Sequence, residues 1–272
     1  MLRFIESNKM PNLSIITINY NNLAGLQKTM QSVFEQSFSD YEYIIIDGGS
    51  KDGSKEYIEQ YKDRLAYWVS EKDKGIYDAM NKAILQSRGC YLEFLNSGDV
   101  FCSSNVLDEC FNIIKDQSCD IVYGQIRAEW QGSLREIIFP SQMSLYFLKQ
   151  YAINHQACFY KRTFLNQIGY YNLDYSLAAD YELMLRCVVG GATFQALKFP
   201  IVEYDMNGVS SNKMDKYIDQ MKQAFLNTIP ASINNDLLSL ASSTGKNSWR
   251  RFLFPHPKED YKEFFPERNM DY

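Results

Sequence analysis

The sequence predicts an α/β fold in which a mostly parallel central sheet is flanked by helices. Short apolar, β-branched runs alternate with segments of helical apolar spacing through the first 100 residues, and several of the runs end in a polar or glycine-rich turn. Strands that alternate with helices form parallel sheets through right-handed crossovers, and ligands bind at the carboxyl ends of such strands. We therefore expect a ligand site where these turns meet.

The elements of the first half follow from these runs. The predicted strands are Leu13–Ile18, Tyr43–Ile46, Leu65–Val69 and Tyr91–Leu95. The helices predicted between them are Leu23–Phe34, 52–61 and Gly75–Gln86.

The second half is less regular and predicts no repeat or low-complexity linker. Strands are predicted at Ile121–Tyr123, Gln125–Trp130, Leu134–Phe139, Asn154–Tyr160 and within Phe194–Tyr204, with a hairpin turn across 131–133. Helices are predicted at Lys161–Ile168, Asp180–Val189 and Lys213–Thr228. We therefore expect one compact domain with a C-terminal extension.

Composition narrows the functional class. The 272 residues carry a net charge of −5, which disfavours a nucleic-acid surface. The six cysteines form no CxxC pair and only two histidines are present, so we expect no structural zinc and a reducing, cytoplasmic compartment. Neither a signal peptide nor a run of about 20 apolar residues is visible, which predicts a soluble or peripheral protein.

Two strand-end aspartates are the first candidates for chemistry. Asp47 ends an apolar strand and precedes two glycines, so its carboxylate either accepts a nucleobase imide N–H or caps a turn. Asp99 follows the fourth strand in Asn-Ser-Gly-Asp, where it is either a ligand of Mg²⁺ or Mn²⁺ or a helix cap.

Two helix starts are the next candidates. Before the third helix, Lys74 can neutralise phosphate, and Asp78 and Asn81 share one helix face, although a solvated charge run explains the same pattern. Asp180 stands in the first turn of a later helix, where the helix dipole favours the ionised form that a general base needs; simple capping is the alternative. Glu182 is a candidate for orienting Asp180 or an acceptor.

The sequence lacks the motifs of several other enzyme classes. No GxGxxG follows the first strand, and neither GxxxxGK[ST] nor GxSxG occurs, which disfavours Rossmann oxidoreductases, P-loop enzymes and α/β-hydrolases.

Taken in order, six segments resemble the family-2 glycosyltransferases of the GT-A fold, especially the bacterial members that build capsule, O-antigen and exopolysaccharide. The segments span about residues 11–212: Leu13–Asn22, Tyr43–Ser54, Ser70–Asn81, Gly89–Asp99, Asn154–Phe159 and Gly169–Arg186. The resemblance implies a GT-A catalytic domain over 1–212, with a nucleotide-binding half at about 11–100 and a smaller acceptor and base half at about 101–212. The remaining 213–272 would form a C-terminal helical extension.

The resemblance also implies roles for single residues. Thr17 and Asn19 would line the nucleotide pocket, Asp47 would bind the base, usually uracil, and Asp78 and Asn81 would flank the donor. Asp99 matches the last acid of the family's DXD-like metal motif, and Asp180 matches the catalytic base of its "ED" motif. His155 lies in a shared segment and is a candidate for contact with diphosphate, metal or acceptor, or for a structural role.

Two departures accompany the match. Asn-Ser-Gly-Asp carries one carboxylate, so the second metal ligand is open, and Ala179 replaces the Glu of the "ED" motif. The predicted function is inverting, Mn²⁺- or Mg²⁺-dependent transfer of a sugar from a nucleotide-diphosphate donor, UDP-linked by preference. The acceptor would be a saccharide or a polyprenyl-diphosphate-linked saccharide in cell-surface polysaccharide synthesis. A sugar-nucleotide-binding protein without transfer activity is the alternative.

The tail suggests one further contact. The residues from Trp249 to Phe254 combine aromatic and basic side chains that suit an anionic membrane surface, although an ordinary packed terminus explains them as well. On the first interpretation the cytoplasmic protein would work at the inner face of the membrane.

Overall fold

The computed structural model describes residues 10–114, 119–130, 133–206, 213–231 and 233. Within them, nine strands form one mixed sheet: β1 (Leu13–Asn19), β2 (Tyr41–Asp47), β3 (Tyr67–Ser70), β4 (Tyr91–Phe94), β5 (Val100–Phe101), β6 (Ile121–Trp130), β7 (Ser133–Ile137), β8 (Cys158–Lys161) and β9 (Phe194–Tyr204). The helices are α1 (Leu23–Phe34), α2 (Ser54–Gln60), α3 (Ile76–Gln86), α4 (Val106–Ile114), α5 (Leu145–Gln150), α6 (Arg162–Ile168), α7 (Ala179–Val189) and α8 (Met214–Thr228).

The strand order is β3-β2-β1-β4-β8-β6-β9-β5, and β7 pairs with β6. The first four strands run parallel to one another, which confirms the α/β prediction. β8 runs antiparallel between β4 and β6, and the later pair β6 and β9 is again parallel. One continuous sheet therefore joins the two halves of the sequence.

Side chains of β1 alternate between two apolar layers. Leu13 and Ile15 pack with α1 and α4 on one face, whereas Ile16 and Ile18 pack with α3 and α7 on the other. α8 joins the second layer through Met221, Ala224 and Phe225. The sheet is thus covered on both faces, as parallel strands require.

Two strand predictions in the second half need correction. Residues 121–130 form one strand, not two; its register with β9 shifts on either side of Gln125, next to Gly124, where a Cβ would lie 2.4 Å from Ile201 Cδ1. The strand predicted from Asn154 begins only at Cys158, because His155–Ala157 form a 3₁₀ turn. β6 and β7 do pair antiparallel as predicted, although the tip of that hairpin lies outside the described residues.

All six cysteines belong to the described residues and carry free thiols. No helix in that part of the chain is both long and apolar enough to cross a bilayer. The tail from Trp249 to Phe254, in which a membrane contact is predicted, lies outside the described residues.

Candidate active site

The polar turns predicted to carry ligands meet at one edge of the sheet. Asn19 and Asp47 end the paired strands β1 and β2 at the same register, and Asp47 faces Ser70 at the end of β3. The loop of Asn96 to Asp99 follows β4 beside β1, and the Ser97 amide donates to the Ile18 carbonyl. The parallel register therefore assembles these side chains.

Asp47 is fully buried, and both of its oxygens already accept hydrogen bonds. Oδ1 accepts from Asn19 Nδ2 at 2.7 Å and from the Ser50 hydroxyl at 2.5 Å. Oδ2 accepts from the Ser50 amide at 2.9 Å and from the Ser70 hydroxyl at 2.5 Å. Asp47 therefore ties three loops together and offers no exposed carboxylate to a base.

The β1 candidates are also buried. Thr17 has no exposed surface; its hydroxyl donates to the Leu95 carbonyl and lies 2.8 Å from the Tyr43 hydroxyl. Asn19 is 1% exposed, and its Oδ1 is buried without a partner among the described residues. The Thr17 side chain is thus fully enclosed, while Asn19 keeps an unused acceptor at the end of β1.

Two residues that the sequence prediction did not select lie above Gly48. A Cβ placed on this glycine would lie 2.6 Å from Asp73 Oδ2 and 3.1 Å from Tyr20 Cδ2. Tyr20 is 66% exposed, and the Asp73 Oδ1 accepts from the Gly75 amide at 2.8 Å. Gly48 therefore allows an exposed aromatic ring and a carboxylate to approach the same point.

The side chains of the two candidates on α3, Asp78 and Asn81, form hydrogen bonds with backbone groups. Asp78 Oδ2 accepts from the Lys74 amide at 3.0 Å, while Lys74 itself is exposed. Asn81 forms two hydrogen bonds with the backbone of Tyr171, from its Nδ2 to the carbonyl and to its Oδ1 from the amide. Asn81 thus joins α3 to the loop before α7.

Asp99 lies at the end of the loop that joins β4 to β5. Thr29 of α1 accepts from the Gly98 amide and donates to the Asp99 carbonyl, which fixes the loop. Asp99 is 3% exposed, and its Oδ1 accepts from the Asp205 amide at 2.9 Å. Burial raises the pKa of Asp99 to about 7, against the lowering effects of this amide, of His155 and of a hydrogen bond with Gln156.

Glu93 of β4 is a second buried acid near Asp99. It has no exposed surface, and neither carboxyl oxygen has a partner among the described residues. Burial, with the Asp99 charge as a smaller cause, raises the pKa of Glu93 well above its usual range. The protonated form of Glu93 is therefore favoured over the charged form more strongly than in an exposed glutamate.

Asp180 stands in the first turn of α7 with both oxygens engaged. Oδ1 accepts from the Tyr77 hydroxyl at 2.9 Å, and Oδ2 lies 3.1 Å from His155 Nδ1. Burial and the adjacent Asp180 raise the pKa of Tyr77, so its hydroxyl remains a donor. The Asp180 side chain is 14% exposed, which leaves it within reach of a substrate.

His155 connects Asp180 to the loop that carries Asp99. Its Nε2 lies 3.1 Å from Asn96 Nδ2, and the adjacent Gln156 lowers the pKa of Asp99. The turn His155–Ala157 therefore lies between Asp180, the predicted base, and the loop of Asp99, the predicted metal ligand.

Glu182 is directed elsewhere. It is 5% exposed, and its Oε1 accepts from Arg186 Nε at 2.8 Å. The same guanidinium donates to the carbonyls of Ile168, Gly169 and Tyr170. Glu182 therefore helps to hold residues 168–170 through Arg186, and it makes no contact with Asp180.

Comparison with known proteins identifies the family. The model of "Glycosyl transferase family 2" matches residues 14–165, more than half of the chain. The chain belongs to this family. Family-2 membership makes the protein a glycosyltransferase and disfavours the alternative of a binding protein without transfer activity.

Relatives of this glycosyltransferase span most of its length. An uncharacterised glycosyltransferase of Mycobacterium tuberculosis is 32% identical over 75% of this chain and 78% of its own. A PGL/p-HBAD biosynthesis glycosyltransferase of Mycobacterium bovis is 28% identical over 82% and 85%. Residues 1–349 of S. aureus TarS, crystallised with UDP, superpose with a TM-score of 0.64 at 16% identity, covering 93% of this chain and 77% of that one. The TarS likeness shows that the two chains share the GT-A-like fold.

The family-2 site offers hard oxygen ligands for a divalent cation. Asp99 accepts from the Asp205 amide, and Asp205 Oδ2 lies 2.8 Å from a Cβ placed on Gly98, so two acids border this loop. Ser97 Oγ is buried beside them without a partner in the described part of the chain. Mg²⁺ and Mn²⁺ bind through one or two carboxylates plus phosphate oxygens, and this donor set fits that chemistry. The described residues contain no cluster of three His, Cys, Asp or Glu residues that could hold a metal unaided.

Four residues of this site escaped the sequence prediction: Tyr20, Asp73, Tyr77 and Asp205. Tyr20 and Asp73 occur inside segments already singled out, so an exposed aromatic and an acid beside a glycine turn were the available signals. Tyr77 lies 103 residues from Asp180 and Asp205 lies 106 residues from Asp99. Sequence spacing gives no sign of such contacts.

Proposed function

We propose that this protein is an inverting glycosyltransferase that uses a UDP-sugar and a saccharide or lipid-linked saccharide acceptor in cell-surface polysaccharide synthesis. The observation that carries the proposal is the turn of His155, which joins Asp180 to the loop of Asp99 at the carboxyl ends of the strands. Direct transfer needs a proton acceptor for the acceptor hydroxyl and an acidic residue near the diphosphate of the donor, both in one cleft.

The surroundings of Gly48 support a uracil donor. Asp73 Oδ2 provides a carboxylate for an imide N–H, and the exposed Tyr20 ring provides a stacking surface. In this arrangement Asp47 and Asn19 support the base pocket from below. TarS is crystallised with UDP and with UDP-GlcNAc, which agrees with a uridine donor.

The reaction is a single in-line displacement. Asp180 accepts the proton of an acceptor hydroxyl while that oxygen forms a bond to the anomeric carbon. The bond from this carbon to the diphosphate oxygen breaks, and its electron pair leaves with the UDP. Because one displacement occurs without a covalent enzyme intermediate, the anomeric configuration inverts.

A divalent cation, Mn²⁺ or Mg²⁺, would stabilise charge on the leaving diphosphate when bound. Asp99 and Asp205 are the residues that would hold it, and the exposed Lys74 adds positive charge near the pocket. A mannosyltransferase from Pyrobaculum calidifontis with the same fold is crystallised with GDP-Man and Mn²⁺, at a TM-score of 0.61 and 15% identity, over 81% of this chain and 64% of that one.

The class of acceptor is proposed from the names of two relatives. The Mycobacterium bovis relative is named for PGL/p-HBAD biosynthesis, and a Bacillus subtilis relative is named as a putative teichuronic acid biosynthesis glycosyltransferase, 27% identical over 76% of this chain. Both names describe glycosyltransferases of biosynthesis. We propose that the enzyme works on the cytoplasmic side, where a polyprenyl-diphosphate-linked acceptor would lie at the membrane.

The donor is tested by thermal shift with UDP-, GDP- and CDP-linked sugars, with and without Mn²⁺. A ligand that binds only the native state raises its stability by about 2.7 kcal/mol at 100 times its Kd. We expect the largest Mn²⁺-dependent stabilisation with a UDP-sugar. A larger shift with a GDP- or CDP-sugar would overturn the uridine assignment.

The base is tested with Asp180→Asn. General-base catalysis contributes about 10²–10⁴-fold, so turnover should fall by that factor while UDP affinity stays near the wild-type value. Asp174→Asn makes the same change at an exposed aspartate and should leave turnover unchanged. Near-normal turnover of Asp180→Asn would remove Asp180 as the base.

A further inference from the structure

We propose that His155 is a positioning residue that holds the Asp180 carboxylate through its Nδ1–H and is itself fixed by the amide of Asn96. The inference rests on the proposed role of Asp180 as the base. It gives His155 a task apart from any contact with diphosphate, metal or acceptor, and it gives Asn96 a task apart from metal binding.

The two contacts of His155 determine its tautomer. Asn96 Nδ2 lies 3.1 Å from His155 Nε2, and an amide nitrogen can only donate, so Nε2 accepts. The ring proton is then on Nδ1, which lies 3.1 Å from Asp180 Oδ2 and donates to it. In this tautomer His155 accepts from Asn96 Nδ2 and donates to Asp180 at once, while Asn96 Oδ1 stays buried without a partner among the described residues.

The Asp180 carboxylate is thereby held at both oxygens. The Tyr77 hydroxyl lies 2.9 Å from Oδ1 and 2.9 Å from the Leu177 carbonyl, so its one proton is shared between them, while His155 contacts Oδ2. Two donors on different elements, one on α3 and one on the 155–157 turn, fix the plane of the carboxylate. Rotation of that plane would move the base away from the acceptor hydroxyl, and a misplacement of about 1 Å can reduce turnover about 10²-fold.

The same turn also spaces the base from the acid at position 99. His155 contacts Asp180, and Gln156, the next residue, lowers the pKa of Asp99. His155 is 8% exposed and Gln156 is 5% exposed, so packing fixes both side chains. Asn96 completes the arrangement because only a side chain that donates can hold Nε2 as an acceptor.

Three replacements of His155 separate the donor to Asp180 from the rest of the ring. The Asn amide nitrogen can occupy the place of Nδ1, whereas the Gln amide reaches the place of Nε2. We expect His155→Ala and His155→Gln to lose about 10²-fold in kcat and His155→Asn to stay within about 10-fold of wild type. UDP affinity and the KM for the donor should change less than about threefold, because the proposed role gives His155 no contact with the donor.

Turnover is measured as UDP released from UDP-GlcNAc with Mn²⁺, or from the sugar nucleotide that stabilises the full-length protein most. If His155 acts through Asp180, then His155→Ala combined with Asp180→Asn is no slower than Asp180→Asn alone. Losses that multiply would overturn the inference. So would a His155→Ala enzyme with wild-type kcat, or a His155→Asn enzyme as slow as His155→Ala.

The tautomer gives a readout that needs no substrate. The chain has two histidines, so ¹⁵N NMR of the imidazole nitrogens, with His256→Gln for assignment, isolates His155. We expect the proton on Nδ1, and a proton on Nε2 would overturn the inference. Full turnover of Asp180→Asn would instead refute the proposed function, whereas an inactive Asp180→Asn beside an active His155→Ala refutes the positioning role alone.

Discussion

Replacing Asp47 with Asn tests whether this buried carboxylate supports the pocket or contacts the base. Each of its oxygens accepts two hydrogen bonds, from Asn19, from Ser50 twice and from Ser70. An amide group removes one acceptor oxygen and the charge. A hydrogen bond to a charged group contributes about 1.5–3 kcal/mol, and the Ser hydroxyls and the Asn19 amide can partly readjust. We therefore expect a loss of about 3 kcal/mol in the free energy of unfolding.

The assay is thermal unfolding of the ligand-free protein. For a chain of this size, 1 kcal/mol shifts Tm by about 2–4 °C, so Asp47→Asn should melt about 6–12 °C below wild type. Asp174→Asn, at an exposed position, is the matched control and should melt with the wild type. An Asp47→Asn protein with an unchanged Tm and a weakened affinity for UDP would refute the reasoning, because it would place the carboxylate on the ligand.

Three further predictions concern Glu93, Arg186 and Gly48. Because Glu93 has a folded pKa raised above its unfolded value of about 4.3, its contribution to stability is complete below that pH and is lost as pH rises toward the folded pKa. Glu93→Gln should therefore gain on wild type by up to about 1.4 kcal/mol per pH unit in urea unfolding as pH rises above the unfolded pKa of about 4.3, and a difference that does not change with pH would contradict this. Arg186→Met leaves the buried Glu182 unpaired and three loop carbonyls without a donor, so we expect a loss of about 3–5 kcal/mol by the same assay; an unchanged midpoint would contradict it. Gly48→Ala places a methyl group 2.6 Å from Asp73 Oδ2 and should weaken UDP binding about tenfold or more in calorimetry, while an affinity equal to wild type would exclude Asp73 and Tyr20 from the base pocket.

The parallel half of the fold could be predicted because its signals are local. β1, β2 and β4 are continuous apolar runs that end in polar turns, and their common register alone brings Asn19 and Asp47 together. The antiparallel insertion of β8 has no such signal, since its short strand is preceded by a 3₁₀ turn and pairs with strands distant in sequence.

The sequence predicted which side chains lie near one another better than it predicted their contacts. Asp99, His155 and Asp180 do lie at one edge, but which atom faces which depends on side chains from four separate elements. Asp47 shows the difference most clearly: the position of a carboxylate at a strand end is visible in the sequence, whereas its complete burial under Ser50 and Ser70 is not. Glu182 likewise follows Asp180 by two residues and yet pairs with Arg186.

The contacts of helix α3 determine how substitutions on it should affect the Michaelis constants and rate constants of this protein. Its first turn follows the loop of Asp73, its Tyr77 donates to Asp180, and its Asn81 grips the backbone of Tyr171. One helix thus lies next to the proposed donor side and contacts the proposed proton acceptor. Substitutions along it will change Michaelis constants and rate constants together, so clean separation of the two half-sites must come from residues on other elements.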